Sequence, residues 1–134
     1  MIFLDTSCIV AYFNEGDDFH LRALKIIKDI DNEKYGVKVI NDYIFSEFAT
    51  VMMLKTKNMK TVKQYGEKLL SAITLLKTDE NTFNESWRMF KSQPKPALSF
   101  ADCSAIATCK INGINYLATF DARLGKASDL KIIE

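Results

Sequence analysis

Gly36-Val37-Lys38-Val39-Ile40-Asn41-Asp42-Tyr43-Ile44-Phe45-Ser46-Glu47-Phe48-Ala49-Thr50-Val51 changes character halfway, and that change decides the fold. A glycine opens a β-branched run over residues 36–40, which reads as a strand. Asn41 or Asp42 then offers a side-chain acceptor to the free N–H groups of a helix start, and the helix runs to about Lys57. A strand leading straight into a helix is the repeating unit of a parallel sheet, because parallel strands need a crossover connection.

The same alternation extends in both directions. Ile2-Phe3-Leu4 is a first strand, and a helix-like run follows Asp5-Thr6-Ser7. Leu21, Leu24, Ile27 and Ile30 stand at helical spacing and predict a helix over 17–31. Downstream come a helix over about 60–75, a strand near 76–78, and a helix over about 81–91 with Phe83, Trp87 and Phe90 on one side. Pro94 and Pro96 interrupt the chain before Ser99 opens a small-residue helix that stops at Asn112-Gly113. Strands over 115–118 and 130–133 complete the series. The expectation is one α/β domain over 1–134, a parallel sheet with helices on both faces, without repeats or linkers.

Composition narrows the classes. A chain of 134 residues with 48% apolar content suits one domain that buries roughly two-thirds of its unfolded surface. A net charge of +1 gives no global field, so any polyanion must be met by local patches. Cys8, Cys103 and Cys109 form no C-x-x-C pair and sit in apolar stretches, as buried thiols do in a reducing cytoplasm. The longest apolar run, Cys8 to Phe13, is too short for a membrane span, and no export signal precedes it.

Four carboxylates stand at comparable landmarks. Asp5 closes the first strand, and Asp121 follows Tyr116-Leu117-Ala118-Thr119-Phe120. Asp102 lies in the first turn of the Ser99 helix, and Glu47 falls on an apolar helix face between Val51 and Leu54, one turn after Ile44. Parallel sheets gather function at the carboxyl ends of their strands, where all four could meet. Taken singly, Asp5 is also an N-cap, Asp102 the partner of Ser99 in a capping box, and Asp121 a turn starter. Glu47 has no such ordinary role, since an ionised group on a buried face needs a partner or a cation.

Four acids at one edge repel unless a cation neutralises them. The lone His20 lies among charged neighbours and no thiol pair exists, so zinc is disfavoured. Oxygen-only ligands suit Mg²⁺ or Mn²⁺, the chemistry of phosphodiester hydrolysis. Thr6 or Ser7 could hold a phosphate or a metal-bound water, and Thr119, two residues before Asp121, would share its strand face. Arg123 and Lys126 are candidate phosphate contacts beside this site, while Lys55, Lys57, Lys60, Lys63 and Lys68 read as a solvated surface.

These residues together resemble the PIN domain family, and within it the toxin ribonucleases of VapBC-type toxin–antitoxin modules. Asp5-Thr6-Ser7, Phe45-Ser46-Glu47-Phe48, Leu98-Ser99-Phe100-Ala101-Asp102-Cys103 and Ala118-Thr119-Phe120-Asp121-Ala122-Arg123-Leu124 carry the resemblance, which spans the whole chain. It implies a five-stranded parallel sheet, Mg²⁺- or Mn²⁺-dependent endoribonuclease activity, a homodimer and an antitoxin that blocks the site. It also implies that Asp5, Glu47, Asp102 and Asp121 hold metal while Thr119 and Ser7 or Thr6 orient water and RNA. Two other readings compete. One is a non-catalytic acidic pocket that binds a basic peptide of a partner protein. The other is a phosphorylated receiver-like domain, disfavoured because Asp5 has no acidic neighbour.

Overall fold

The computed structural model describes residues 1–134. Five strands form one parallel sheet in the order β3-β2-β1-β4-β5: β1 (Ile2–Leu4), β2 (Lys38–Asn41), β3 (Thr74–Leu76), β4 (Tyr116–Ala118) and β5 (Lys131–Ile133). Seven helices surround it: α1 (Thr6–Phe13), α2 (His20–Asp31), α3 (Asp42–Thr56), α4 (Met59–Ala72), α5 (Glu80–Lys91), α6 (Phe100–Ile111) and α7 (Ala122–Ala127). Successive residues of β1 point to opposite faces, yet Ile2, Phe3 and Leu4 are all buried, so both faces of the sheet are covered. Chain order reverses at β1, whose neighbours are β2 and β4. The carboxyl ends of β1 and β4 therefore border the topological switch point, where such sheets open a crevice.

The alternation holds, with local shifts that have physical causes. Gly36 adopts φ +77 and Val37 is exposed, so this segment is the turn into β2 rather than its start. β3 begins at Thr74, two residues before the expected strand, because α4 ends at Ala72. On α2 the buried stripe is Ala23, Ile26 and Ile30, rotated from the expected one; Leu21 is 78% exposed. The three cysteines are free and buried, and burial pushes the Cys8 and Cys109 thiols up to about 12.

Asn41 caps α3 by accepting from Ile44 N at 2.9 Å. Its amide nitrogen also donates to Ser104 at 3.0 Å and Thr108 at 2.9 Å, joining β2 to α6 in a fully buried site. Asn41→Ala removes the cap and both hydrogen bonds to the buried hydroxyls, which keep only their bonds to helix carbonyls, so a loss of about 2–3 kcal/mol is expected. Urea unfolding checks it, and a loss under about 1 kcal/mol would mean that the link is incidental.

Candidate active site

Asp5 is the hinge between β1 and α1, and one of its oxygens does the joining. Oδ2 accepts from the backbone N–H of Ser7 (3.2 Å), the Ser7 hydroxyl (2.6 Å) and the Thr119 hydroxyl (2.8 Å). Each hydroxyl in turn accepts a backbone N–H from the segment leaving β4: Ser7 from Phe120 at 2.9 Å, Thr119 from Asp121 at 3.0 Å. The two strand ends are thus tied through a single carboxylate oxygen. Oδ1 accepts no hydrogen bond and remains available at the cleft. Burial raises the Asp5 pKa; hydrogen bonds from Ser7 and Thr119 oppose the rise, and the Asp102 charge adds to it.

Glu47 accepts from the Thr6 hydroxyl through Oε2, which leaves Oε1 free. The buried face of α3 consists of Ile44, Phe48 and Met52, while Leu54 is 66% exposed. The expected placement of Glu47 within a buried face is therefore corrected. Glu47 stands at the border of that face, half-buried, where the helix meets the cleft. Its pKa is raised by burial first, against the Thr6 hydrogen bond, and then by the charges of Asp5 and Asp102.

Asp102 satisfies its structural reading while keeping an oxygen to spare. Oδ2 accepts from Ser99 N at 2.7 Å and Ser99 Oγ accepts from Asp102 N at 3.0 Å, a complete capping box at the start of α6. Oδ1 accepts nothing. Asp121 differs: Oδ1 caps α7 through Arg123 N at 2.8 Å, and Oδ2 forms an ion pair with the Arg123 guanidinium at 2.8 Å. That guanidinium holds the Asp121 carboxyl below its usual range. Asp5, Glu47 and Asp102 have no cationic side chain within ion-pair distance.

All four acids, with Thr6, Ser7 and Arg123, line one cleft of about 770 Å³. Thr119 lies beneath it, buried, acting through Asp5 and Asp121. Lys126 is exposed and is not part of the lining. His20 is half-buried, its Nδ1 2.8 Å from the Ala11 carbonyl, away from the acids. Several lining residues lie outside the sequence reading. Lys55 sits two turns beyond Glu47 on α3, a spacing that could have separated it from the other lysines. Phe19 and Phe120 stack at the rim, beside Asp17 and Asp18.

No three acidic, thiol or imidazole groups converge closely enough to share one ion directly. The donors nevertheless suit a hard cation in kind: Asp5, Glu47 and Asp102 have no cationic partner, each keeps an open oxygen, and the Asp102 charge adds to the burial that raises the proton affinity of Asp5 and Glu47. Mg²⁺ keeps several waters and needs only one or two direct carboxylates, so an open site of this composition fits it.

The chain belongs to the PIN domain family: the PIN domain profile matches residues 2–130, which take in β1 to β4 and all four acids of the cleft. Solved structures agree on the fold. The sarcin–ricin loop cleaving toxin VapC20 of Mycobacterium tuberculosis superposes with a TM-score of 0.82 at 21% identity, covering 95% of each chain. FitAcB of Neisseria gonorrhoeae gives 0.72 at 21% identity over 100% of this chain and 97% of that one. VapBC2 of Rickettsia felis, bound to a DNA fragment from its promoter, gives 0.71 at 15% identity over 98% and 97%. Among curated proteins none matches this chain.

Proposed function

We propose that this chain is a divalent-metal-dependent endoribonuclease, the toxin of a type II toxin–antitoxin module, which hydrolyses RNA phosphodiesters. The observation that carries this reading is the trio Asp5, Glu47 and Asp102. They come from three separate elements into one cleft, each with one oxygen fixed by the fold and one left open. These oxygens would hold Mg²⁺ or Mn²⁺, directly or through water, with Asp121 as the fourth acid. A bound ion would supply an activated water and neutralise charge on the leaving oxygen.

The chain's own groups then have separable tasks. Ser7 and Thr119 lock the Asp5 rotamer, and Thr6 locks Glu47. Glu47, with its proton affinity raised by burial, is suited to take the proton of the attacking water. Arg123, with a largely exposed guanidinium, and Lys55 flank the acids and can meet phosphate oxygens. Lys126, outside the cleft, would meet only an RNA that extends past it.

The structural relatives crystallised as VapBC and FitAB complexes support a cognate antitoxin as partner. A cytoplasmic location suits such a module, and no helix is long and apolar enough to cross a membrane. A homodimer would cover Phe83, Trp87 and Phe90, which form an exposed apolar stripe on α5, and Met53 on α3. Met52, by contrast, belongs to the core.

The alternative, a pocket that only binds a basic peptide, draws support from the guanidinium of Arg123 already seated on Asp121. One experiment separates the two. RNA is incubated with the purified chain in Mg²⁺, Mn²⁺ or EDTA, its new ends are sequenced, and the mass in solution is measured by light scattering. Ion-dependent cuts and a dimer mass are expected. Intact RNA with every ion, together with tight binding of an arginine-rich peptide, would favour the pocket, and a monomer mass throughout removes the dimer.

A further inference from the structure

We propose that Phe19, Phe120 and Arg22 form a stacking platform that holds an unpaired base of single-stranded RNA beside the acid cleft. This deepens the ribonuclease reading and rests on it. The two rings lie 4.6 Å apart and 10° from parallel. The Arg22 guanidinium carbon is 5.5 Å from both ring centroids. Equal distances put it alongside the pair rather than beneath one ring, so it does not cap the stack.

Both rings are held in place by backbone contacts. Phe120 N–H donates to Ser7 Oγ at 2.9 Å, within the network that fixes Asp5. Phe19 N–H donates to the Asp17 carboxylate at 3.0 Å, where α2 begins. Phe19 and Arg22 are three residues apart and share one side of that helix.

A purely structural role accounts for Phe120, which packs against the hydrophobic core. Phe19 does not belong to that core or to the shell around it. It is 38% exposed, and its aromatic contact is Phe120. An open phenyl face at the mouth of a phosphodiester-cleaving site matches what every nucleobase offers, a π-surface of similar size. Asp17 and Asp18 on the same rim repel phosphate, so this edge suits a base more than the backbone. Arg22, alongside the pair, adds a cation for the phosphate next to the stacked base. Bases within a duplex keep their faces hidden, which limits the occupant to a single strand or loop.

The test walks a single abasic residue along a short single-stranded RNA and measures both equilibrium binding, with Ca²⁺ present, and Mg²⁺-dependent cleavage. In the parent protein one abasic position should weaken binding and raise KM, each roughly tenfold. Phe19→Leu keeps apolar packing on Phe120 but has no π-face, and it should bind the intact and abasic strands alike. Phe19→Trp should restore the preference, and Leu21→Ala, exposed on the same helix, should leave it intact. Arg22→Gln should lower affinity for both strands and flatten the salt dependence of binding. If the parent cleaves RNA but no abasic position matters, the platform is overturned while the ribonuclease assignment stands. If the parent does not cleave, the assignment fails, and the binding series still decides the platform. A preference that depends on Phe19 for a basic peptide, with no RNA bound, overturns it in favour of a protein ligand.

Discussion

Asp102→Asn should keep the fold and lose RNA cleavage by roughly a hundredfold or more. The amide is matched to what the structure requires of this residue. Its single oxygen can still accept from Ser99 N, so the capping box at the start of α6 survives. The atom replaced is Oδ1, the one that accepts nothing from the protein, and an NH₂ group there cannot hold a cation. The same substitution logic applies to Asp5, whose three hydrogen bonds all fall on Oδ2. Glu47→Gln likewise retains an acceptor for Thr6. All three amides should therefore fold, as circular dichroism would register, and all three should fail at Mg²⁺-dependent cleavage. A merely structural role predicts the opposite: full activity with an intact cap. Asp121→Asn is a separate case, since it loses an exposed ion pair of small worth and opens Arg123. Amide variants that cut RNA as well as the parent would remove the acid cleft from the chemistry altogether.

The landmarks of the site were legible because each acid sits at a boundary that local chemistry announces. Asp5 follows three apolar strand residues, Asp102 follows a serine at capping distance, and Asp121 follows β4 by three residues. The capping reading of Asp102 does not compete with its reading as a ligand, since a carboxylate has two oxygens and the cap takes one. What escaped the sequence depends on contacts between distant segments. The Asn41 bonds to Ser104 and Thr108 span more than sixty residues, so nothing local to Asn41 separates this buried link from an ordinary cap. The pairing of Phe19 with Phe120 joins the loop before α2 to the segment after β4, and each ring alone reads as a stray hydrophobe. The buried stripe of α2 was misplaced for another reason. Ala23 is too small to weigh in a hydrophobic pattern, and Leu21 outweighs it, although Ala23 is fully buried and Leu21 is exposed.

Withdrawing divalent ions should lower the stability of the native state, and more so at neutral than at mildly acidic pH. Asp5 and Glu47 both have pKa values raised in the fold, chiefly by burial and further by neighbouring acids. A raised carboxyl pKa means that the native state binds protons more tightly than the unfolded chain. Stability therefore falls as pH climbs from the ordinary carboxylate range through the raised values, and is recovered on acidification. Glu85 runs the other way. Arg88 and Lys110 hold it down to about 2, so its contribution is lost only in stronger acid, in a window that does not overlap. A cation in the cleft replaces the missing protons. At an ion concentration a hundred times its Kd the gain is about 2.7 kcal/mol, on the order of 10 °C in melting temperature for a domain of this size. Thermal scans across that pH range, in EDTA and then in Mg²⁺ or Mn²⁺, read both effects. Glu47→Gln should melt higher than the parent in EDTA, lose part of the pH slope and respond less to the ion. Asp31→Asn, which gives up only an exposed pair with Lys38, should respond as the parent does. A parent that gains stability from mildly acidic to neutral pH in EDTA, and no stability from either ion, would show that the three acids neither repel one another nor share a cation. Their convergence on one cleft would then be a matter of helix capping by Asp5 and Asp102 and of the Thr6 hydrogen bond to Glu47.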